Sequence, residues 1–172
     1  TRSVNDRRKP MTELTAEIAA GEKFTMDKLS SVHSTRDMNY DGVTIEEAEK
    51  RLQPESLAAF EKVLEKSYDA HFAESEKAWA ALWDDQDILI DSENDFDQLG
   101  IRFALYHLNI MVKKDDSRVG IGAKAMSGEG YKGHSFWDTE TFIFPYFMYA
   151  QPDTAKTLLT YRFKSLIGAR NK

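Results

Sequence analysis

Cysteine is absent from this sequence, which rules out disulfide bonds, thiolate nucleophiles and cysteine-ligated metals. Apolar runs are short: none approaches the ~20 residues of a membrane span, and no basic stretch followed by an apolar segment suggests export. Positive charge is in the minority, with 23 Lys and Arg against 29 Asp and Glu. That acidic balance disfavours nucleic-acid and anionic-membrane partners, which select clustered basic residues. We therefore expect a cytoplasmic protein with neither kind of partner.

The length of 172 residues is enough for one domain but too small for a large barrel. The first residue is Thr1 rather than an initiator methionine, and the last residues of the sequence, up to Lys172, contain no convincing stop signal. We expect an excised segment of a longer protein, which we call the parent protein. A complete processed chain is the alternative.

The first 42 residues predict short elements. Residues 11–20 have a helical pattern, with Thr12 as the N-cap and Gly21 as the stop. Residues 23–36 alternate and are rich in β-branched side chains, which indicates a strand whose partners lie elsewhere in the parent protein. A turn is predicted at residues 39–42.

Helices dominate the remainder of the chain. Thr44 and Glu47 predict a capping box for a first helix over 44–52, and Pro54 predicts the start of a second that runs to residue 84. Residues 88–90 form a short apolar run that suits a strand. Further helices are predicted over 95–113, 138–150 (kinked at Pro145) and 154–167. The first of these has apolar residues on more than one face, which predicts burial on two sides. The order favours an (α/α) toroid, with an irregular bundle as the alternative.

Glycine is concentrated before the fourth helix, because five of the nine glycines lie between Gly120 and Gly133. Backbone shaped around a ligand needs such residues more than a simple connection does. The loop leads into Trp137 and Asp138 at a helix start. An indole offers an apolar ring face and a carboxylate accepts hydroxyl hydrogens, which together suit a sugar. The alternative is that Asp138 is only an N-cap.

Other polar residues have two interpretations each. Lys124 and His134, in the loop, are candidates for binding an anion or a hydroxyl, or are simply solvent-exposed. Arg102 is a candidate wall of the substrate site or a member of an ion pair, and Arg162 poses the same question. Glu140 is interpreted as a first-turn helix acid only.

Several kinds of site are excluded because their sequence motifs are absent. No His, Cys, Asp or Glu cluster has metal-ligand spacing, and the Walker, dinucleotide and Gly-x-Ser-x-Gly motifs are absent. Inverting glycosyl transfer needs a carboxylic acid over the scissile oxygen. No isolated glutamate of this chain suits that task, so we predict no catalytic residue within it.

Five stretches of the sequence together resemble glycoside hydrolase family 65, the disaccharide phosphorylases that act on kojibiose, trehalose, nigerose and maltose. They are residues 98–108, 121–124, 127–140, 159–163 and 168–170. The resemblance is most specific in Gly-Glu-Gly-Tyr-Lys-Gly-His-Ser-Phe-Trp-Asp-Thr-Glu. The Gly-His-Ser-Phe part is more similar to the kojibiose and trehalose enzymes than to the maltose enzymes. One departure is an alanine at position 125, where the family pattern has glycine.

The resemblance implies a mainly α fold: the first helices of an (α/α)6 toroid, preceded by a helical linker and one or two strands of an N-terminal β-sandwich. It implies the end of the sandwich at 1–38, the linker at 39–94 and the truncated barrel at 95–172.

The resemblance also implies a chemistry. Trp137 and Asp138 match the pair that holds the non-reducing glucosyl ring, and the general acid is expected beyond Lys172. Phosphate attacks the anomeric carbon with inversion, giving β-glucose 1-phosphate, without a metal or organic cofactor. The parent is expected to be a homodimer, and the isolated segment to be inactive and prone to self-association. A trehalase-like hydrolase and a non-catalytic sugar-binding or scaffold module remain alternatives.

Overall fold

The computed structural model describes residues 2–6, 9–125, 128 and 130–171. Within these ranges, the exposure and contacts of side chains are described from Met11 onward. The described chain is mainly helical, which confirms the predicted class. It divides into two compact units, residues 1–71 and residues 72–172. No described helix is both long enough and apolar enough to cross a membrane.

The first unit begins with a β-hairpin. Strand β1 (Arg2–Asp6) pairs antiparallel with β2 (Lys9–Glu13), so that Arg2 lies opposite Glu13. The predicted helix over 11–20 is therefore wrong: its first three residues belong to β2 and the next six have no regular structure. All ten are exposed, and a short helix without a packed face is marginal in water.

The strand predicted over 23–36 is also wrong. Residues 23–33 have no regular secondary structure, and β1 and β2 form the one sheet among the described residues. An alternating pattern without a neighbouring strand leaves its backbone groups unpaired by any ladder. The predicted turn at 39–42 is confirmed as a short 3-10 turn (Met38–Tyr40) followed by Gly42 at a φ of 78°.

Helix α1 (Ile45–Leu64) begins as predicted but does not stop before Pro54. The Thr44 hydroxyl accepts a hydrogen bond from the Glu47 N–H at 3.3 Å. Pro54 lies inside the helix, so the predicted division at that residue is wrong. Contacts across it hold the turn: the Arg51 Nε donates to Glu55 at 2.7 Å.

The break between the helices occurs instead at Ser67, whose hydroxyl accepts from the Ala70 N–H at 3.2 Å. Helix α2 (Tyr68–Gln86) follows and leads from the first unit into the second. A serine that offers its oxygen to the first turn competes well for a helix start.

In the second unit, helix α3 (Asp95–Ile110) confirms the predicted third helix and is capped by Asn94. The strand suggested at 88–90 is wrong. The Gln98 side chain accepts from the Ile90 N–H and donates to the Ile88 carbonyl, both at 2.9 Å. A side-chain amide thus satisfies backbone groups that a strand partner would otherwise take.

The chain ends in three consecutive helical segments. A π-helical turn (Thr139–Ile143) leads directly into α4 (Phe144–Ala150), and α5 (Pro152–Arg170) follows. The predicted helices at 138–150 and 154–167 are confirmed. Pro145 lies in the first turn of α4, where its missing N–H is tolerated, and the preceding turn widens to a π-helix.

The core of the second unit is small. It consists of Ile121, Phe147, Ala155 and Leu158, surrounded by partly buried side chains from α3 and the residues just after it, the π-helical turn and α4. Beside it lies a group of hydrogen-bonded side chains that we call the amide cluster: Gln86, Asn109, Tyr146 and Gln151. The Tyr146 hydroxyl donates to Gln86 at 2.7 Å, and the Gln151 amide donates to Asn109 at 2.6 Å. The cluster joins residues from α2, α3, α4 and the start of α5.

The prediction that α3 is buried on two sides is not met in this chain. Leu105 and Asn109 are its buried residues, whereas Phe96, Leu99 and Phe103 are each more than 60% exposed. Helix α5 has a similar outer face, with Phe163 76% and Ile167 72% exposed. Both helices therefore present apolar surface that the chain itself does not cover.

Candidate functional site

The glycine-rich segment forms a loop whose two ends meet. The Ala123 N–H donates to the His134 carbonyl at 3.1 Å, and the backbones at Gly122 and Gly133 lie in contact. A Cβ added to Gly122 would lie 3.2 Å from the Gly133 Cα. Gly133 itself has a φ of 74°, which side chains disfavour. Glycine at these two positions allows the loop to close at its base.

Among the described residues of the loop, three are strained. Ala125, Tyr131 and Lys132 have φ values of 48°, 58° and 50°, in the left-handed region that non-glycine residues avoid. Tyr131 and Lys132 make the segment from Gly130 to Gly133 a left-handed turn rather than a true helix. Ala125 is the position at which the resemblance led us to expect glycine, and its φ is one that glycine adopts more readily. Strain of about 1 kcal/mol or more at each residue is typical of ligand-binding segments.

Trp137 lies just after this loop, at the first turn of the π-helical segment. Its carbonyl accepts from the N–H groups of Glu140 and Thr141, both at 3.1 Å. Its indole is 66% exposed and is tilted against Phe142, with ring centroids 5.9 Å apart. The backbone is therefore fixed while one indole face stays open to solvent.

Asp138 follows Trp137 with helical backbone angles, φ −53° and ψ −35°. Its side chain makes no capping hydrogen bond, so the interpretation of Asp138 as an N-cap is wrong. A helical conformation at this residue turns its carboxylate away from the N–H groups that a cap would satisfy. Asp138 is exposed, as is Trp137, its neighbour in the sequence.

An ion pair holds the segment that carries both groups. The Arg162 Nε of α5 donates to Glu140 Oε1 at 2.6 Å, and its Nη2 donates to Glu140 Oε2 at 2.8 Å. The same Nη2 also donates to the Phe136 carbonyl. One guanidinium thus contacts residues on both sides of Trp137 and Asp138. The sequence indicated only that Arg162 needs a partner, and Glu140 was interpreted as a helix acid.

Helix α5 also contacts the end of the loop through Tyr161. Gly120 lies so close to the Tyr161 ring and the Ser135 hydroxyl that an added Cβ would be 2.4 Å and 2.7 Å from them. No side chain fits at that position without displacing its neighbours. Arg162 thus holds residues 136–140 against α5, and the Tyr161 ring lies close to Gly120 at the start of the loop.

Three further residues were predicted as possible walls of the substrate site: Arg102, Lys124 and His134. The Arg102 guanidinium pairs with Asp87, and its Nε lies 3.0 Å from the carboxylate. This hydrogen bond holds the pKa of Asp87 below its usual value. The Lys124 ammonium lies 5.9 Å from the centre of the Tyr131 ring, and the His134 side chain is exposed.

A cavity of about 420 Å³ adjoins the base of the loop. Its lining is mostly apolar and includes Lys124, but neither Trp137 nor Asp138 lines it; the lining residues are His107, Ile110, Met111, Gly122, Ala123, Lys124, Ala125 and Ile143. Among residues 11–125, 128 and 130–171, no three His, Asp or Glu side chains are grouped to share a metal ion. Independence from metals and cofactors stays a prediction.

Comparison with known proteins gives one consistent result. The family described as "Glycosyl hydrolase family 65 central catalytic domain" matches residues 102–172. A kojibiose phosphorylase from Halothermothrix orenii is 41% identical over 98% of this chain and 21% of that protein. The α,α-trehalose phosphorylase of Thermoanaerobacter brockii is 32% identical over 95% of this chain and 20% of that protein.

A solved structure agrees with this result. A human-microbiome protein described as a kojibiose phosphorylase is 30% identical, with a TM-score of 0.64 over 74% of this chain and 18% of that chain. The chain thus spans about a fifth of the length of the curated relatives it matches. Residues 102–172 match the central catalytic domain of glycoside hydrolase family 65, and the resemblance seen in the sequence is confirmed.

Proposed function

We propose that this chain is a segment of an inverting α-glucoside phosphorylase, and that it contributes Trp137 and Asp138 to the donor-glucose subsite. The parent enzyme cleaves an α-linked glucosyl disaccharide with inorganic phosphate. A phosphate oxygen bonds to the anomeric carbon as the glycosidic C–O bond breaks, giving β-glucose 1-phosphate and glucose. The carboxylic acid that protonates the leaving oxygen lies outside this chain. Phosphate is a co-substrate, and no metal or organic cofactor takes part.

One observation supports this assignment above the others. Trp137 and Asp138 are both exposed, are adjacent, and lie on a backbone held by the Arg162 contacts. Neither side chain is needed to complete the local fold: the carboxylate caps no helix, and the indole packs on one neighbour. A rigid apolar surface beside a free carboxylate suits a sugar, which has an apolar ring face and paired hydroxyl groups.

The apolar outer faces of α3 and α5 support a place in a larger helical layer. We propose that α3, α4 and α5 are the first helices of an (α/α)6 barrel, whose later helices cover Phe103 and Phe163. Exposed apolar surface of this kind normally meets a partner. In the same proposal residues 39–94 are the linker, and residues 1–38 end a β-sandwich.

The relatives support phosphorolysis rather than hydrolysis, because those compared above are described as phosphorylases. The decisive experiment incubates the parent enzyme with kojibiose, trehalose, nigerose or maltose, with and without phosphate. We expect one disaccharide to give β-glucose 1-phosphate only when phosphate is present, as followed by proton NMR of the new anomeric centre.

The other outcomes identify the alternatives. Glucose release that is independent of phosphate would show a trehalase-like hydrolase and contradict the proposal. Glucose binding without turnover of any of the four disaccharides would show a sugar-binding module. The isolated 172-residue chain lacks the acid in this proposal, so it is expected to turn over none of them.

A further inference from the structure

We propose that Arg162 is a positioning residue for the sugar-binding pair Trp137 and Asp138, acting through its contacts with Glu140 and the Phe136 carbonyl. This inference rests on the proposed function. It assigns a role in the reaction to a residue on α5 that does not itself meet the sugar.

Arg162 contacts both ends of the segment that carries Trp137 and Asp138. Residues 136–140 leave the glycine-rich loop and enter the π-helical turn within five residues. At one end, Arg162 Nη2 binds the Phe136 carbonyl, and at the other its Nε and Nη2 bind both oxygens of Glu140. A single planar group therefore fixes the separation of the two ends between which Trp137 and Asp138 lie. Bidentate arginine–carboxylate contact also fixes orientation, which a single hydrogen bond does not.

How firmly residues 136–140 are held depends also on the loop before them and on their own side chains. The loop before it contains three residues with left-handed backbone angles, and the carboxylate of Asp138 makes no capping bond. The indole of Trp137 is mostly exposed and makes one ring contact, with Phe142. The segment has backbone hydrogen bonds of its own at the Trp137 carbonyl and one buried residue, Thr139, and the Arg162 contacts additionally tie both of its ends to α5. Displacement of a binding group by about 1 Å is enough to cost up to 100-fold in rate.

The ion pair of Arg162 and Glu140 differs from an ordinary surface ion pair in the elements that it joins. Arg51 and Glu55 on α1 form a pair with nearly the same Nε to Oε1 distance and exposure: the distance is 2.7 Å, and the side chains are 39% and 40% exposed, although Glu140 also accepts from the Arg162 Nη2. For Arg162 and Glu140 the values are 2.6 Å, 33% and 37%. Partly exposed pairs contribute little to stability in either place. The difference is that one pair joins residues of a single helix, whereas the other joins α5 to the segment that carries Trp137 and Asp138.

The experiment compares Arg162→Met, Arg162→Lys and Glu140→Gln with Arg51→Met in the parent enzyme, measuring kcat, KM and thermal stability. Arg162→Met is expected to lower kcat/KM by about 10-fold or more, with Arg51→Met within twofold of the wild type. Arg162→Lys keeps the charge but not the fork, so it is expected to recover only part of the loss. If Arg162→Met does not fold, Arg162→Lys and Glu140→Gln decide the matter by the same kcat/KM criterion.

A double-mutant cycle gives the readout that a purely structural role would not change. If Arg162 acts through Asp138, then Arg162→Met in the Asp138→Asn background should change kcat/KM by less than threefold. Equal losses in the two backgrounds, or a wild-type kcat/KM in folded Arg162→Met, would overturn this inference and leave the proposed function standing. A wild-type parent enzyme without phosphorolysis would overturn the proposed function and the inference with it.

Discussion

The amide cluster and the segment 136–140 belong to the same unit and contain similar polar groups, yet they use them in opposite ways. In the cluster, Asn109 donates to the Leu105 carbonyl and the Tyr146 hydroxyl, and accepts from Gln151 and Lys114. Its hydrogen-bonding capacity is consumed by the fold. In the segment, Arg162 satisfies the flanking groups, while the Asp138 carboxylate and the Trp137 indole stay exposed. Binding capacity is thus found where the surrounding structure leaves polar groups unused on a fixed backbone.

The largest effect on activity is expected from Asp138→Asn in the parent enzyme. Loss of a charge-assisted contact to a sugar hydroxyl should cost at least ~2 kcal/mol of transition-state stabilisation, about 30-fold in kcat/KM. Asp153→Asn is the matched control, because Asp153 is also an exposed aspartate in the first turn of a helix. Kinetics of Asp138→Asn within threefold of the wild type would reject the assigned role.

A change in the amide cluster should affect stability instead. Asn109 is itself buried, and Asn109→Ala leaves its mostly half-buried partners without their hydrogen bonds, so we expect about 2 kcal/mol lower free energy of unfolding. Urea denaturation of the 172-residue chain measures it. Asn39→Ala removes one exposed hydrogen bond to Glu55 and should cost well under half as much. Equal losses for the two variants would show that the cluster does not stabilise the second unit.

A methyl group at Gly120 should disturb the contact of α5 with the loop. The new Cβ would lie 2.4 Å from the Tyr161 ring, so Gly120→Ala is expected to lower stability by about 1.5 kcal/mol. At Gly100, inside α3, nothing lies within 4 Å of the added atom, and Gly100→Ala should raise stability by about 0.5 kcal/mol. Chemical denaturation of both variants checks the opposite signs, and the same sign in both would contradict this description of the loop.

Asp116 provides the smallest expected effect, which depends on pH. The Arg118 side chain donates to its carboxylate at 2.7 Å and lowers its pKa from 3.8 to about 2. Because the pKa is depressed in the folded chain, the stabilisation is present above pH 4 and is lost as the pH falls towards 2. We expect a loss of about 1 kcal/mol over that window, given the partial exposure of Arg118. Asp116→Asn should abolish this part of the pH dependence, and an unchanged slope would contradict it.

The sequence predicted those elements whose signals are local. Thr44 caps the first turn of α1, and Asn94 caps the start of α3. The sequence that leads into α4 contains its own helical period. The predictions failed where pairing or side-chain contacts override the local pattern. The pairing of Lys9–Glu13 with β1 replaced a short helical pattern, and the contacts of Glu55 carried α1 through Pro54.

The candidate site shows the same division. Trp137 and Asp138 were predictable because they follow one another in a specific motif. The contact between Arg162 and Glu140 joins residues 22 positions apart, and no spacing rule indicates such a pair. The prediction that α3 is buried on two sides was not met, since Phe96, Leu99 and Phe103 are exposed in the described chain.

The most direct test of the account is a crystal structure of the parent enzyme with glucose and phosphate. We predict one glucose ring stacked on the Trp137 indole, with two neighbouring hydroxyl groups donating to the Asp138 carboxylate and the Arg162 contacts intact. Glucose bound at another place, with Trp137 and Asp138 touching only solvent or protein, would contradict it.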